Sequence, residues 1–457
     1  MPPSFARVLD RAPLKRLPSL KKVFHNRSRA QLLAAGLLLA VGGCAILPGN
    51  WRPGWNDKWP DDKPVPETAG SWNLTELEKK DGRFLALAIS GGGSRAANFG
   101  AAVMLELQAR KLLQQVDVIS GVSGGTLPTV YYGLADKAGD FSEPALRKAM
   151  GFDFQSSWIR RWFLPQNIFR YWFSDFTRSD IMVQVFNNEL YHDATFAHLQ
   201  SHPKILLNST VHNDHTRFTF TDERFARLHS ALAPYPVANA VNASSAFPGA
   251  FQDVTLQWYI APTQYVHLYD GGPIDNLGVQ AITEYINRNI LGTSLRQVFP
   301  NGCLIIIIDA TPASEHPELN TRQSSRSAID YFVDTNALDA MDAMLLESRR
   351  SLLAGMGIPV TRQDQEIRGR LPVNDREQCG CEVRHVALRQ LMYAGDDEAE
   401  GLAERVTQIK TKFWIGEDEQ NDLFTAAKLL IKRIDDKNLL TEESLKTSCA
   451  VEKTETK

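Results

Sequence analysis

Twice between residues 83 and 135, a short apolar run ends in a cluster of glycines that opens onto a helical pattern. This repetition constrains the fold more than any other feature. Arg83–Ile89 reads as a buried strand, Ser90-Gly91-Gly92-Gly93-Ser94-Arg95 as a turn and Ala96–Leu113 as a helix. Val116–Ser120 then reads as a second strand, Gly121-Val122-Ser123-Gly124-Gly125 as a second turn and Thr126–Ala135 as the start of a second helix. A helix between two strands carries the chain back to the edge it left, so the strands lie parallel and the helices cover them. The fold class is therefore α/β with a mostly parallel central sheet. Further strands are expected at Lys204–Asn208, Thr216–Thr221, Tyr265–Tyr269 and Cys303–Ile308, and helices at Ile274–Asn289, Asp330–Ala354 and Asp422–Arg433. Residues 315–327 read as a loop, and no repeat or heptad run is present.

A chain of 457 residues, 43% of them hydrophobic, can bury one large core or two ordinary ones. Its net charge of −3 conceals an asymmetry. Residues 1–43 carry eight Lys and Arg against Asp10, which leaves 42 basic and 52 acidic residues in the rest. A body of that charge without a basic stripe argues against a nucleic-acid partner. The basic stretch leads into the apolar run Leu32–Val41 and then Gly42-Gly43-Cys44, the order of a secretory signal. Even extended to Leu47 the run is about 16 residues, short of the ~20 needed to span a bilayer. Val41-Gly42-Gly43-Cys44 resembles a bacterial lipobox, which implies lipidation of Cys44 and, with Ala45 following, an outer-membrane anchor facing the periplasm. The expected organisation is a signal at 1–43, a Trp- and Pro-rich tether at 44–80, a catalytic domain with a helical C-terminal extension at 81–433, and a polar tail at 434–457.

Cys303, Cys379, Cys381 and Cys449 remain once Cys44 is set aside, an even number compatible with disulfides in an oxidising compartment. Cys379 and Cys381 are too close in sequence to bridge each other readily, so each calls for a distant partner. Their spacing is not that of a zinc knuckle.

Three turns carry the chemistry. Gly91, Gly92 and Gly93 between a strand and a helix can present bare N–H groups to an anion, whether phosphate or the oxyanion of acyl transfer. Gly121-Val122-Ser123-Gly124-Gly125 fits Gly-x-Ser-x-Gly, a sharp strand-to-helix turn that exposes the serine oxygen. Asp270-Gly271-Gly272 puts a carboxylate at a strand end, where it can take the Ser123 proton directly.

Gly-Gly-Gly-x-Arg, Gly-x-Ser-x-Gly and Asp-Gly-Gly, in that order, resemble the patatin-like phospholipases and the related cytosolic phospholipases. Ala243-Ser244-Ser245-Ala246-Phe247-Pro248-Gly249 resembles the block these proteins carry before the aspartate. The resemblance spans Phe84 to Ile308 and implies a three-layer α/β/α fold. It also implies a Ser–Asp dyad with no catalytic histidine, Ser123 as nucleophile and Asp270 as base. The amides of Gly91, Gly92 and Gly93 become the oxyanion hole, and Arg95 supports that loop or meets a phosphate head group. The implied substrate is a phospholipid, lysophospholipid or other fatty-acyl ester met at a membrane surface, and the chemistry calls for no metal or organic cofactor. Ser90 and Ala96 depart from the commoner patatin residues, Asp and Gly, toward the cytosolic phospholipase version.

Competing readings attach to the same residues. Gly91, Gly93 and Ala96 fit a dinucleotide fingerprint, but Ser120 and Gly121 stand where its acid belongs. A Ser-His-Asp triad would join Ser123 to Asp270 or Asp309 and to His316 or His385, in a non-lipid esterase or acyltransferase. In a non-catalytic lipid-binding lipoprotein, Ser123 would cap a helix and Asp270 serve a turn. His192, His212 and His267 read as structural, and His212-x-x-His215 lacks the helical setting of a metal site. Trp158–Phe176, dense in rings and arginines, reads as a lid or membrane-contact segment or as ordinary core.

Overall fold

The computed structural model describes residues 56–60, 74, 81–135, 140–311, 336–359, 361, 365–377, 379–395 and 397–440, with the side chains of 336–343 not included. The expected signal, Cys44, most of the tether, the 315–327 loop, His316, Cys449 and residues 441–457 lie outside them. The chain divides at Arg52–Pro53, and all described residues belong to the Pro53–Lys457 unit.

Among the described residues, nine strands form a single sheet: β1 (Arg83–Ile89), β2 (Val118–Val122), β3 (Lys204–Val211), β4 (Arg217–Thr219), β5 (Val254–Trp258), β6 (Gln264–Asp270), β7 (Gly302–Asp309), β8 (Arg368–Pro372) and β9 (Gly380–Ala387). The order is β5-β6-β3-β2-β1-β7-β9-β8, with β4 paired to β3. β3, β2, β1, β7 and β9 are mutually parallel, whereas β4, β5, β6 and β8 pair antiparallel at the flanks. Helices α1 (Gly93–Ala109), α2 (Thr126–Gly133), α3 (Glu143–Met150), α4 (Phe154–Trp162), α5 (Pro165–Phe173) and α6 (Arg178–Phe186) fall between β1 and β3. Next come α7 (Asp222–Arg227), α8 (Val237–Ser244), α9 (Gly272–Asp275), α10 (Val279–Asn289) and α11 (Leu295–Val298). The last are α12 (Asn336–Gly355), α13 (Asp397–Thr407) and α14 (Glu417–Asp436).

Strand periodicity makes the layers. Phe84, Ala86 and Ala88 of β1 share one face with Cys303, Ile305 and Ile307 of β7, packed under α10, α11 and the end of α12. Leu85, Leu87 and Ile89 take the other face with Leu304, Ile306 and Ile308, under α1, α2, α6, α8, α13 and α14. A strand buried on both faces needs a continuous apolar run, as in Phe84–Ile89. The result is the expected three-layer α/β/α arrangement.

Cys303 and Cys381 stand side by side on β7 and β9 and form a disulfide across 78 residues. Closing a loop of that length is worth about 4 kcal/mol in chain entropy. The distant partner expected for Cys381 is thus Cys303. The tether is not free where it is described. Asn56 is buried, donates to the Gln257 carbonyl at 3.0 Å and accepts the Gln257 N–H at 2.8 Å. The expected continuous helix Ile274–Asn289 is instead two helices, because Gly278 adopts φ 74° and the Asp275 carboxylate accepts the N–H groups of Val279 and Gln280. The C-terminal helix runs past the expected end of the domain at residue 433, with Ile434 buried in the core. Among the described residues no helix is long and apolar enough to cross a membrane.

Candidate active site

All three turns emerge where strands of the sheet end. Gly91–Gly93 follow β1 and Ser123 follows β2, at the carboxyl ends of parallel strands, where open α/β sheets bind ligands. Asp270 is the last residue of β6 and pairs with Ser209 of β3. The antiparallel flank therefore delivers the carboxylate to the edge from which β2 delivers the serine.

Ser123 holds φ 50°, a left-handed conformation that costs a non-glycine residue about 1–2 kcal/mol. Its neighbours show what keeps it there. A Cβ on Gly124 would lie 2.0 Å from the Gly93 carbonyl oxygen, so the two glycine loops touch backbone to backbone. A Cβ on Gly91 would sit 2.5 Å from Asn276 Oδ1 and 3.3 Å from the Ser123 Cβ. The Ser123 N–H donates to Ser244 Oγ at 2.9 Å, and Ser244 passes its own hydrogen to the Asn208 carbonyl. Ser244 ends α8, and the residues beside it grip the other half of the site. The Gly271 N–H donates to the Ser244 carbonyl at 3.2 Å and the Asp270 N–H to the Ala246 carbonyl at 3.1 Å. The Ala243–Gly249 block thus joins the serine turn to the aspartate turn.

Ser123 Oγ donates to Asp270 Oδ2 at 2.8 Å, and the Gly272 N–H donates to Asp270 Oδ1 at 2.8 Å. Both side chains are nearly enclosed, Ser123 8% and Asp270 4% exposed. Burial raises the Asp270 pKa to about 6, against the lowering effect of the Gly272 and Ser123 hydrogen bonds. At neutral pH the carboxyl is still ionised, yet more basic than a solvated aspartate.

The glycine loop departs from expectation at one position. Gly91 spends its N–H on the Asn276 carbonyl at 3.0 Å, so it has no hydrogen to offer an oxyanion. The amides of Gly92, Gly93 and Gly124 have no hydrogen-bond partner among the described residues. Gly93 opens α1 and Gly124 lies just before α2, so two helix N-termini favour negative charge in the same space. Ser90 ties the base of the loop to β7, accepting the Ala310 N–H at 2.9 Å.

Of the two roles expected for Arg95, the contacts favour support of the loop. It is 2% exposed, and its guanidinium reaches the Ala310 carbonyl at 2.6 Å, the Ile409 carbonyl, and Thr411 Oγ1 at 3.2 Å. Its charge is consumed inside the fold, so it supports the loop and does not meet a head group.

His385, the base of the competing triad reading, sits elsewhere. It is buried, with Nε2 2.9 Å from Asp309 Oδ2, and Arg349 of α12 donates to the same oxygen at 2.6 Å. Burial works to raise the Asp309 pKa, but the Arg349 guanidinium and the hydrogen bond from His385 hold the carboxyl far below the ordinary range. No histidine hydrogen-bonds Ser123 among the described residues. The cluster is structural: it anchors α12, whose Leu345 would meet a Cβ on Gly272 at 2.8 Å. His212 pairs with Asp253 at 2.6 Å and His267 Nδ1 with Thr255 Oγ1 at 3.0 Å. Among the described residues no group of three or more His, Cys, Asp or Glu side chains could hold a metal ion.

Residues 87–282, which hold the elbow, the glycine loop and the Asp270 turn, match the family model for patatin-like phospholipases. The chain carries a patatin-like phospholipase domain. No curated protein matches it. Among solved structures it is similar to human GIVD cytosolic phospholipase A2, with TM-score 0.48 and 11% identity over 81% of this chain and 61% of that one. A complex of that protein with the inhibitor methyl gamma-linolenyl fluorophosphonate and terbium chloride gives TM-score 0.44 and 12% identity, over 81% and 60%. This chain thus spans about three fifths of the length of those structures. The patatin-like segment ends within α10, so β7, β9 and the C-terminal helices, which complete the sheet and its cover, lie beyond it.

Proposed function

We propose that the chain is a serine hydrolase of fatty-acyl esters, with Ser123 as nucleophile, Asp270 as the sole base, and phospholipids or lysophospholipids at a lipid surface as substrates. The observation that carries this reading is the 2.8 Å hydrogen bond from Ser123 Oγ to Asp270 Oδ2, in a site where no histidine among the described residues hydrogen-bonds the serine. The lipid class is supported by the family match.

As Ser123 Oγ attacks the ester carbonyl carbon, its proton passes to Asp270 Oδ2. The carbonyl oxygen becomes an anion held by the amides of Gly92, Gly93 and Gly124. Each such donor is typically worth about 3 kcal/mol in the transition state. Collapse breaks the ester C–O bond, and the departing alkoxide takes the proton from Asp270, leaving an acyl-serine. Water then gives a proton to the freed carboxylate while its oxygen attacks the acyl carbon. Return of that proton to Ser123 Oγ releases the fatty acid. A carboxyl with pKa about 6 serves both directions, since at neutral pH it is ionised but accepts a proton more readily than a solvated aspartate.

Labelling with a fluorophosphonate tests the reading. Wild type and His385→Gln are expected to label, and Ser123→Ala and Asp270→Asn to lose it. Loss of labelling in a folded His385→Gln would replace the dyad with a triad. No labelling of folded wild type would leave a lipid-binding protein without this chemistry.

A further inference from the structure

The hairpin formed by α4 and α5 exposes rings that a folded chain ordinarily buries. Phe163, Trp172 and Phe173 are 72%, 73% and 74% exposed, and Ile168 and Phe169 beside them are 46% and 52% exposed. On α5, Ile168, Phe169, Trp172 and Phe173 recur along one helical face. Asn167 lies on the opposite, buried side and donates to the Arg161 carbonyl at 2.9 Å, which fixes the bend of the hairpin.

Charge on this segment opposes that of the rest of the body. Residues 154–173 contain Arg160, Arg161 and Arg170 and no acid, with Arg161 paired to Glu189 at 3.4 Å. The hairpin also connects to the candidate active site through packed rings. Trp162 meets Trp158 at 4.9 Å, Trp158 meets Phe251 at 4.7 Å, and Phe251 meets Phe413 at 5.2 Å. Next to Phe413 is Lys412, whose carbonyl accepts the Ser94 N–H at 2.8 Å and closes off the space beside Gly93.

We infer that the α4–α5 hairpin docks the protein on an anionic bilayer, with the α5 rings and Phe163 sunk to the boundary between head groups and acyl chains and the arginines set against lipid phosphates. Charge selects this occupant over a second copy of the chain. A two-fold contact between identical hairpins would bring like-charged arginines together, whereas anionic lipid complements them. The inference deepens the lipid-hydrolase reading by orienting the glycine loop toward the surface that carries the ester.

The test does not depend on turnover. Amide hydrogen exchange of the full chain is followed with vesicles of phosphatidylcholine containing phosphatidylglycerol, and with phosphatidylcholine alone. Residues 159–173 are expected to gain protection with the anionic vesicles. In a Trp172→Ser, Phe173→Ser variant, the lipid concentration for half protection of this segment should rise at least tenfold. Both rings are largely exposed, so the variant keeps its fold, checked by retained protection of β1 and β7. Unchanged exchange at 159–173 with anionic vesicles overturns the inference. So does protection that grows with protein concentration in vesicle-free buffer, which would make the face a contact between copies. Protection by vesicles in a protein that takes no fluorophosphonate would leave the docking surface standing and sink the hydrolase reading instead.

Discussion

Replacing Asp270 by Asn should leave the protein inactive and more stable, and the gain should depend on pH in a way that no other property of the variant can mimic. Burial carries the Asp270 carboxyl from 3.8 to about 6, so ionising it in the folded chain costs about 3 kcal/mol more than in the unfolded chain. Below pH 3.8 the carboxyl is protonated in both states and this cost is absent. Between 3.8 and about 6 the folded chain keeps a proton that the unfolded chain has released, so stability declines as pH rises and stays lower above that window. Asn has the same shape, can still accept the Gly272 N–H, and never ionises. The stability gap between Asp270→Asn and wild type should open from nearly nothing at about pH 4 to about 3 kcal/mol at about pH 8. Urea unfolding followed by tryptophan fluorescence measures it, because the other titrating groups are common to both chains and cancel. A gap that does not change with pH, or a variant less stable at about pH 8, would refute the argument that this carboxylate is held at a cost. The same burial predicts that wild-type kcat/KM falls about tenfold per pH unit below about 6, as Asp270 takes up the proton it must accept from Ser123.

Three further outcomes follow from the geometry. Ser244→Ala removes the acceptor of the Ser123 N–H and should cost about 2 kcal/mol in urea unfolding, with kcat lowered more than KM because the elbow loosens. Gly124→Ala drives a Cβ to 2.0 Å from the Gly93 carbonyl and should abolish fluorophosphonate labelling, whereas Gly355→Ala, with open space around its Cβ, should label as wild type does. Arg349→Met removes the guanidinium that pairs with the buried Asp309 carboxylate and should destabilise the protein by about 3–5 kcal/mol, read from the urea midpoint.

Much of the fold, and the residues that meet in the Ser123–Asp270 hydrogen bond, was legible in the sequence because those features obey local rules. An apolar run flanked by glycines must be a buried strand with a tight exit, and two such units in succession require a parallel sheet. β1, β2, β3 and β7 accordingly lie within a few residues of their expected positions. Asp270 could be singled out because a strand pattern ends on it and two glycines follow.

What the sequence could not show were contacts between residues far apart in the chain. Gly91 looks like its two neighbours until the Asn276 carbonyl takes its N–H. Arg95 reads as a cation available to a phosphate until the carbonyls of Ala310 and Ile409 enclose it. His385 lacks any local signature because Asp309 and Arg349, which define its role, arrive from another strand and from α12. Ser244 could be recognised as part of a block, but its bond to the Ser123 N–H depends on α8 packing over the end of β3. Sequence alone determined which backbone turns can exist and which side chains can do acyl chemistry. Tertiary structure decided which N–H groups and charges remain available, because a hydrogen bond or an ion pair is settled by whichever partner folding brings within reach.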